Sequence, residues 1–179
     1  MLRHISSAKV LRRFLQPGNT AGYSGIRPKQ AFQRYRQLST SFSTPLINVD
    51  MRDNGVCVVT LNRPDSRNAL STELALQMCQ VFEDITSSKI KPDAISSARC
   101  VVLTGAGTSF CAGADLKERQ GMTDEQWSDQ HKVFQRAGLL FQNLPMPTIV
   151  AANGHAFGGG FEFVCLADWA VAAKGALFR

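Results

Sequence analysis

The sequence predicts an α/β fold, because apolar runs typical of buried strands alternate along it with segments of helical periodicity. Two of these runs, residues 100–103 and 148–152, are each followed by a glycine-rich turn and then by a segment that can be helical. The chain has 179 residues, of which 44% are hydrophobic, and this is enough for the core of one ordinary domain. No internal repeat or low-complexity segment interrupts the pattern.

The first predicted element is a β-hairpin. Residues 46–51 and 56–61 are apolar and rich in β-branched side chains, and the connection between them ends in Asn54-Gly55. An Asn-Gly pair between two such runs is a strong hairpin signal, because both residues tolerate the left-handed backbone of a tight turn.

The second predicted element is an amphipathic helix. Leu70, Leu74, Met78, Phe82 and Ile85 recur at helical spacing, and they predict a helix over residues 71–86. The polar residues 87–98 then form a surface connection to the buried strand at residues 100–103.

Further helices and strands are predicted in the second half of the chain. Thr123 can cap a helix whose first turn carries two acidic residues and which ends before Pro145. The strand 148–152 follows, and after the glycine-rich turn residues 161–166 predict a short buried helix. Residues 169–173 predict another strand, so strands and helices continue to alternate.

Each glycine-rich turn can present backbone N–H groups to a ligand. The first glycine turn covers residues 110–117, and the second covers residues 153–162. Glycine and alanine let amides approach a developing negative oxygen closely, so two such turns can form an oxyanion hole from the main chain alone. The residues by themselves also fit a plainer interpretation, in which small side chains serve tight packing of strand against helix.

Glu162 is the candidate acid or base of the second turn. It lies between Phe161 and Phe163 in a sequence that is apolar on both sides. A carboxylate in such surroundings is costly unless it is paired or its pKa rises, and a raised pKa suits proton transfer near neutral pH. The alternative is a first-turn glutamate stabilised by the helix dipole. The sequence pattern leaves both interpretations open.

Several short motifs, taken together, resemble those of one superfamily. Leu61-Asn62-Arg63-Pro64, Asn68-Ala69-Leu70, the strand at 101–105 and the segment 144–148 stand in order around the two glycine turns. Over residues 46–179 the chain resembles the crotonase, or enoyl-CoA hydratase/isomerase, superfamily. The resemblance implies the superfamily's repeated ββα spiral. Residues 111–119 are most similar to mitochondrial hydratases of the methylglutaconyl-CoA type.

The resemblance also implies roles for individual residues. The backbone N–H groups of Ala114 and Gly159 would bind the thioester oxygen of the substrate, and Glu162 would be the superfamily's first catalytic glutamate. Ala114, Asp115, Leu116 and Lys117 would border the adenine of coenzyme A. Coenzyme A would enter as part of the substrate, so no separate cofactor is expected.

Two basic side chains are candidates for the coenzyme A phosphates. Lys117, and more weakly Arg67, could pair with them, although either could equally be a solvated surface charge.

The choice of reaction depends on a second carboxylate. Hydratases of the superfamily use a second glutamate about twenty residues after the first, on a segment that would begin near Phe178. The chain stops at Arg179, so we expect a C-terminally truncated domain without the helices that close the acyl pocket and build the trimer. The expected function is hydration of a 2-enoyl-CoA in fatty-acid or branched-chain amino-acid breakdown. The alternatives are an isomerase, which can shuttle a proton with one carboxylate, or a non-catalytic binding protein; a full-length relative would be a homotrimer or hexamer.

The excess of positive over negative charge lies in the N-terminal segment. The chain has a formal net charge of +6, but residues 1–49 contain eight Lys or Arg and no acid, which leaves twelve basic and fourteen acidic residues. An Arg-rich, acid-free segment predicts a mitochondrial transit peptide and linker over residues 1–45, with cleavage after Arg34-Tyr35-Arg36 and a matrix location. Alternatives are a disordered basic tail or one that binds RNA or anionic lipid. The expectation is neither nucleic-acid nor membrane binding by the folded part.

Other kinds of site are not favoured. Five cysteines and three histidines show no metal-ligand or disulfide spacing. Residues 105–110 resemble a dinucleotide-binding loop, but Phe110 stands where the third glycine belongs. Cys111 could act as a thiol nucleophile, yet no third group would orient a partner histidine, so a buried thiol is favoured.

Overall fold

The computed structural model describes residues 42–87 and 98–179, and its architecture is a mixed sheet with helices packed on one face. The sheet has six strands in the order β1-β2-β3-β4-β6-β8, and β5 and β7 form a separate pair. The strands are β1 (Phe42–Thr44), β2 (Ile47–Met51), β3 (Val56–Leu61), β4 (Cys100–Gly105), β5 (Ser109–Cys111), β6 (Thr148–Ala152), β7 (His155–Ala156) and β8 (Trp169–Ala172). The α-helices are α1 (Thr72–Ser87), α2 (Leu116–Arg119), α3 (Asp124–Gln142) and α4 (Gly159–Leu166), and a short 3₁₀ helix covers Pro64–Ser66.

The predicted hairpin is confirmed. Strands β2 and β3 pair antiparallel from Ile47 opposite Leu61 to Met51 opposite Cys57, and Gly55 in the turn has a φ of +81°. From β3 onward, the neighbours β3–β4, β4–β6 and β6–β8 are all parallel. Parallel neighbours need crossover connections, and the helices between these strands supply them.

The boundary predicted at residue 45 needs correction. Strand β1 lies inside the segment assigned to the leader and linker, yet it pairs antiparallel with β2, with Thr44 opposite Ile47. A three-residue strand has too little alternation to be recognised from sequence, and its pairing comes from the exposed edge of β2. The rest of the predicted leader lies outside the described residues.

The core lies between the sheet and the helices. Side chains alternate between buried and partly buried along β3 and β4, so only one face of these strands is fully covered. Phe82 of α1, Phe141 of α3 and Phe163 of α4 meet there, with ring centroids 5.4 Å and 5.7 Å apart in successive pairs. Such aromatic pairs add about 0.5–1.5 kcal/mol beyond the burial of their area.

Most predicted helices are confirmed, with one difference in burial. Helix α3 begins after Thr123, which forms a capping box with Gln126. Helix α4 begins at Gly159, two residues earlier than predicted, and only Gly160 and Phe163 in it are fully buried. The prediction of a buried helix was therefore wrong. The residues of α4 are almost all apolar, but only one face of the helix packs against the core.

The pair β5–β7 was not predicted from the sequence, and it matters most for the site. Both strands are very short, but they run parallel and place Cys111 of the first glycine turn beside Ala156 of the second. Among the described residues, no helix is both long enough and apolar enough to cross a membrane.

Candidate active site

The two glycine turns contact each other through their backbones. The N–H of Phe157 donates to the carbonyl of Cys111 at 3.0 Å. Gly113 has a φ of +87° and Gly158 a φ of +48°, and a Cβ on Gly113 would lie 2.8 Å from the carbonyl oxygen of Phe157. Glycine is therefore required here both for backbone conformation and for close approach.

The Ala114 amide is oriented by a backbone bridge to Leu70. The N–H of Leu70 donates to the carbonyl of Gly113 at 2.8 Å, and the N–H of Asp115 donates to the carbonyl of Leu70 at 2.9 Å. In this parallel bridge the bonds are made by the residues on either side of Ala114. Within the described residues the Ala114 N–H has no acceptor, so it remains available to a ligand.

The Gly159 amide is the second available donor. Gly159 is the first residue of α4, and the helix has no side-chain cap at its N-terminus. The N–H of Gly158 donates to Arg179 and that of Gly160 to Phe157, whereas no acceptor for the Gly159 N–H occurs in the described part of the chain. A Cβ on Gly159 would lie 2.8 Å from Cδ1 of Leu70. Leu70 therefore adjoins both Ala114 and Gly159, and the two donors lie in one region.

Glu162 lies in the first turn of the helix that begins with Gly159. Its N–H donates to the carbonyl of Gly158 at 3.0 Å, and its side chain is exposed. Of the two interpretations that the sequence left open, the apolar surroundings do not occur, because α4 directs Phe163 into the core and leaves Glu162 exposed in its first turn. An exposed carboxylate in the first turn of this helix can still exchange a proton with a bound ligand.

Asp115 makes mainly protein contacts with its side chain. It accepts a hydrogen bond from Arg63 at 2.9 Å and caps α2 by accepting from the N–H groups of Lys117 and Glu118. Burial by itself would raise the Asp115 pKa, but these hydrogen bonds and the Arg63 charge lower it below its ordinary value.

The other residues predicted to bind coenzyme A are accessible. Leu116 is 77% exposed, an unusual state for a leucine, and Lys117 is exposed beside it. Arg67 is also exposed, with a φ of +52°, and it lines an open cleft of about 340 Å³. The other residues that line this cleft are Thr108, Ser109, Ala112, His155 and Phe157.

Two asparagines hold the loop before β5, and sequence reasoning assigned them no role. Asn68 is fully buried, and its amide donates to the carbonyls of Ala106 and Ser109, both at 2.9 Å. Asn153 accepts from the N–H of Gly105 at 3.1 Å and donates to the carbonyl of Gly107 at 2.9 Å. A signal was present for Asn68, which stands in one of the quoted motifs, but its partners are distant in sequence.

The less favoured kinds of site gain no support from the structure. The loop at residues 105–108 leads into strand β5, whereas a dinucleotide fingerprint leads into a helix. Burial raises the pKa of the Cys111 thiol to about 11, so it is not a thiolate nucleophile near neutral pH. Within residues 42–87 and 98–179, no group of three or more His, Cys, Asp or Glu side chains could hold a metal ion.

The fold brings two backbone amide donors into one region, an arrangement that could stabilise a negative oxygen with the main chain. The chain belongs to the enoyl-CoA hydratase/isomerase family, whose model matches residues 51–179.

Individual relatives agree with this membership. A Bacillus subtilis (strain 168) protein named as an enoyl-CoA hydratase/isomerase is 38% identical over 128 residues, covering 71% of this chain and 46% of the relative. An enoyl-CoA isomerase/hydratase of Zymoseptoria tritici is also 38% identical, over 66% of this chain and 38% of its own length. The crystal structure of an enoyl-CoA hydratase from Bacillus anthracis has a TM-score of 0.68 and 36% identity, over 74% of this chain and 49% of that one. This chain therefore spans half or less of the length of these relatives.

Proposed function

We propose that this chain carries the oxyanion-binding half of an enoyl-CoA hydratase-type site, which acts on a 2-enoyl-CoA thioester. The observation that carries the proposal is the pair of N–H groups of Ala114 and Gly159 on adjoining turns, which have no acceptor within the described residues, with Glu162 one helical turn after Gly159. This proposal goes beyond family membership, because the family includes both hydratases and isomerases.

The chemistry follows from these three groups. Addition of water at the β-carbon of a conjugated thioester moves negative charge onto the carbonyl oxygen and gives an enolate. The amides of Ala114 and Gly159 would donate to that oxygen, and loss of one such donor typically slows turnover about 100- to 1,000-fold. The Glu162 carboxylate would accept or return a proton at the reacting carbons or at the attacking water.

The substrate's coenzyme A would lie across α2. The exposed Leu116 offers an apolar surface for the adenine, and Lys117 and Arg67 offer positive charge for the phosphates. The Asp115 side chain would contribute indirectly, since it is bonded to Arg63 and to the start of α2. Coenzyme A is part of the substrate in this proposal, and no other cofactor is required.

Hydration and isomerisation differ in the number of carboxylates that they need. Hydration uses two to hold and deprotonate water, whereas a double-bond shift can proceed with one. Glu162 is the carboxylate identified here, and the second would come from a segment after residue 178. We favour a hydratase related to the methylglutaconyl-CoA type, acting in fatty-acid or branched-chain amino-acid breakdown in the mitochondrial matrix; a full-length relative would be a homotrimer or hexamer. The alternatives are an isomerase and a non-catalytic acyl-CoA-binding protein.

The test combines binding with two turnover assays. Isothermal titration calorimetry with crotonyl-CoA measures binding, and assays with crotonyl-CoA and with a 3-enoyl-CoA measure hydration and isomerisation. We expect binding in every case, and any turnover should disappear in Glu162→Gln. Isomerisation without hydration would favour the isomerase, binding without either reaction would favour the non-catalytic protein, and absence of binding would overturn the proposal.

A further inference from the structure

An ion pair lies directly beside the first oxyanion donor. Nη2 of Arg63 is 2.9 Å from Oδ2 of Asp115, the residue after Ala114. The side chains are only 20% and 13% exposed, unlike the surface pair Arg52–Asp50, where the values are 63% and 44%. A pair shielded from water in this way interacts more strongly than one at the surface.

Arg63 uses its second terminal nitrogen to hold the segment that pairs with Ala114. Nη1 donates to the carbonyl of Ala69, the residue before Leu70. The backbone of Leu70 in turn forms hydrogen bonds with Gly113 and Asp115, the residues on either side of Ala114. The guanidinium therefore links both sides of the backbone bridge that orients the Ala114 amide. A planar guanidinium can make these two bonds at once, which a lysine ammonium on its flexible stem does less well.

Arg63 is itself fixed in place. Its N–H donates to Oδ1 of the buried Asn68 at 2.9 Å, and its carbonyl accepts from the N–H of Asn68 at 2.8 Å. On the other side, Oδ1 of Asp115 caps α2, so the carboxylate cannot turn away without exposing the N–H groups of that helix.

The pair also sets the charge beside the donor. An unpaired Asp115 carboxylate, one residue from Ala114, would repel the negative oxygen that the amide is meant to stabilise. Arg63 compensates this charge, so the pair as a whole carries no net charge. We propose that Arg63 is a positioning residue for the oxyanion hole, which orients the Ala114 amide through Asp115 and Ala69 and neutralises the adjacent carboxylate. The kinetic part of this inference depends on the proposed function.

The test compares variants of the full chain. Arg63→Met removes both bonds and the charge, Arg63→Lys keeps the charge alone, and Arg52→Met is the matched control at a surface pair. We expect R63M to lower kcat up to about 100-fold with little change in KM, since misplacement of a catalytic group costs this much. The kcat of R63K should lie between those of R63M and the wild type. The double variant R63M/D115N should recover part of kcat, because asparagine still caps α2 but carries no charge.

A second readout does not require turnover. Hydrogen exchange followed by NMR reports the Leu70 and Asp115 amides, which form the bridge around Ala114. We expect both to exchange faster in R63M and R63K than in R52M, while the exchange of Val150 in β6, a strand paired on both sides, is unchanged. If the wild type binds crotonyl-CoA without turnover, the non-catalytic alternative is favoured, and exchange alone still decides the positioning role. The inference is overturned if the bridge amides of R63M exchange as in R52M, or if R63M raises KM while kcat stays constant.

Discussion

At the scale of single residues, the site depends on backbone groups and therefore on glycine and alanine. The donors are the backbone N–H groups of Ala114 and Gly159, and every residue except proline has such a group, so the sequence does not distinguish them. They are available because the neighbouring residues make the backbone hydrogen bonds of the two turns. The sequence predicted both donors only through the resemblance, because small residues in turns also serve packing. Glu162 was predicted as a candidate, but its exposure depends on which face of α4 meets the core, and a sequence apolar on both sides does not show this.

Substitution of Gly159 tests the second donor. Gly159→Pro removes the N–H, and proline is tolerated at the first position of a helix. Turnover should fall about 100- to 1,000-fold, while binding of free coenzyme A changes little. Gly159→Ala is the matched control, since it brings a similar Cβ against Leu70 but keeps the N–H. Steady-state kinetics and calorimetry give the comparison, and equal turnover by the two variants would contradict the assignment.

Glu162→Gln tests proton transfer separately from stability. The side chain is exposed, so we expect the free energy of unfolding to change by no more than about 0.5 kcal/mol. Any turnover of enoyl-CoA should be lost, while calorimetric binding of crotonyl-CoA persists. Urea unfolding checks the first expectation. A variant that keeps wild-type turnover would remove Glu162 from the mechanism.

The lowered pKa of Asp115 predicts a dependence of stability on pH. A carboxyl group whose folded pKa is lowered stabilises the protein above its unfolded pKa, and this contribution is lost as the pH falls through the folded value. The wild type should therefore exceed Asp115→Asn in stability near pH 6 and lose that advantage below about pH 4. Denaturant unfolding of both proteins measures this, with the exposed Asp65→Asn as control. If the difference in stability between the wild type and Asp115→Asn did not change with pH, the lowered pKa of Asp115 would be contradicted.

At the scale of elements, the long periodic segments were predictable and the short ones were not. The helices α1 and α3 and the strands β2, β3 and β6 follow from periodicity and caps, which are local signals. Strands β1, β5 and β7 have two or three residues each, and they exist because a neighbouring strand offers unpaired backbone groups. The pair β5–β7 brings the two glycine turns together, so the feature that assembles the site was the least visible in the sequence.

The capping box of α3 gives a prediction for an element. Thr123→Ala removes the side-chain acceptor for the N–H of Gln126 and should lower the free energy of unfolding by about 0.5–2 kcal/mol. Thr123→Ser keeps the acceptor and should remain close to the wild type. Guanidinium unfolding followed by circular dichroism measures both. If alanine and serine had the same effect, the hydroxyl would not be acting as a cap.

At the scale of the whole molecule, charge and fold divide the chain differently. The excess of positive charge lies before residue 50, whereas the sheet begins earlier than that, with Phe42–Thr44. A charge count identifies a segment without acids, but it does not locate the first residue that pairs with the sheet. The family, by contrast, could be predicted because its motifs surround the turns of the site and keep their order along the chain.

The N-terminal segment gives the last prediction, which concerns the protein in the cell. We expect this Arg-rich, acid-free segment to act as a mitochondrial transit peptide that is removed in the matrix, so the mature N-terminus should lie near Leu38, ahead of β1. Mass spectrometry of the N-terminal peptide from isolated mitochondria tests this, and Arg34→Gln/Arg36→Gln is the variant that should shift or prevent cleavage. Arg12→Gln/Arg13→Gln removes equal charge away from the predicted cleavage site, so it separates loss of charge from loss of the cleavage motif. Intact Met1 or Leu2 on the folded protein would instead favour a retained basic tail, and binding to RNA or to anionic vesicles would then become the relevant measurement.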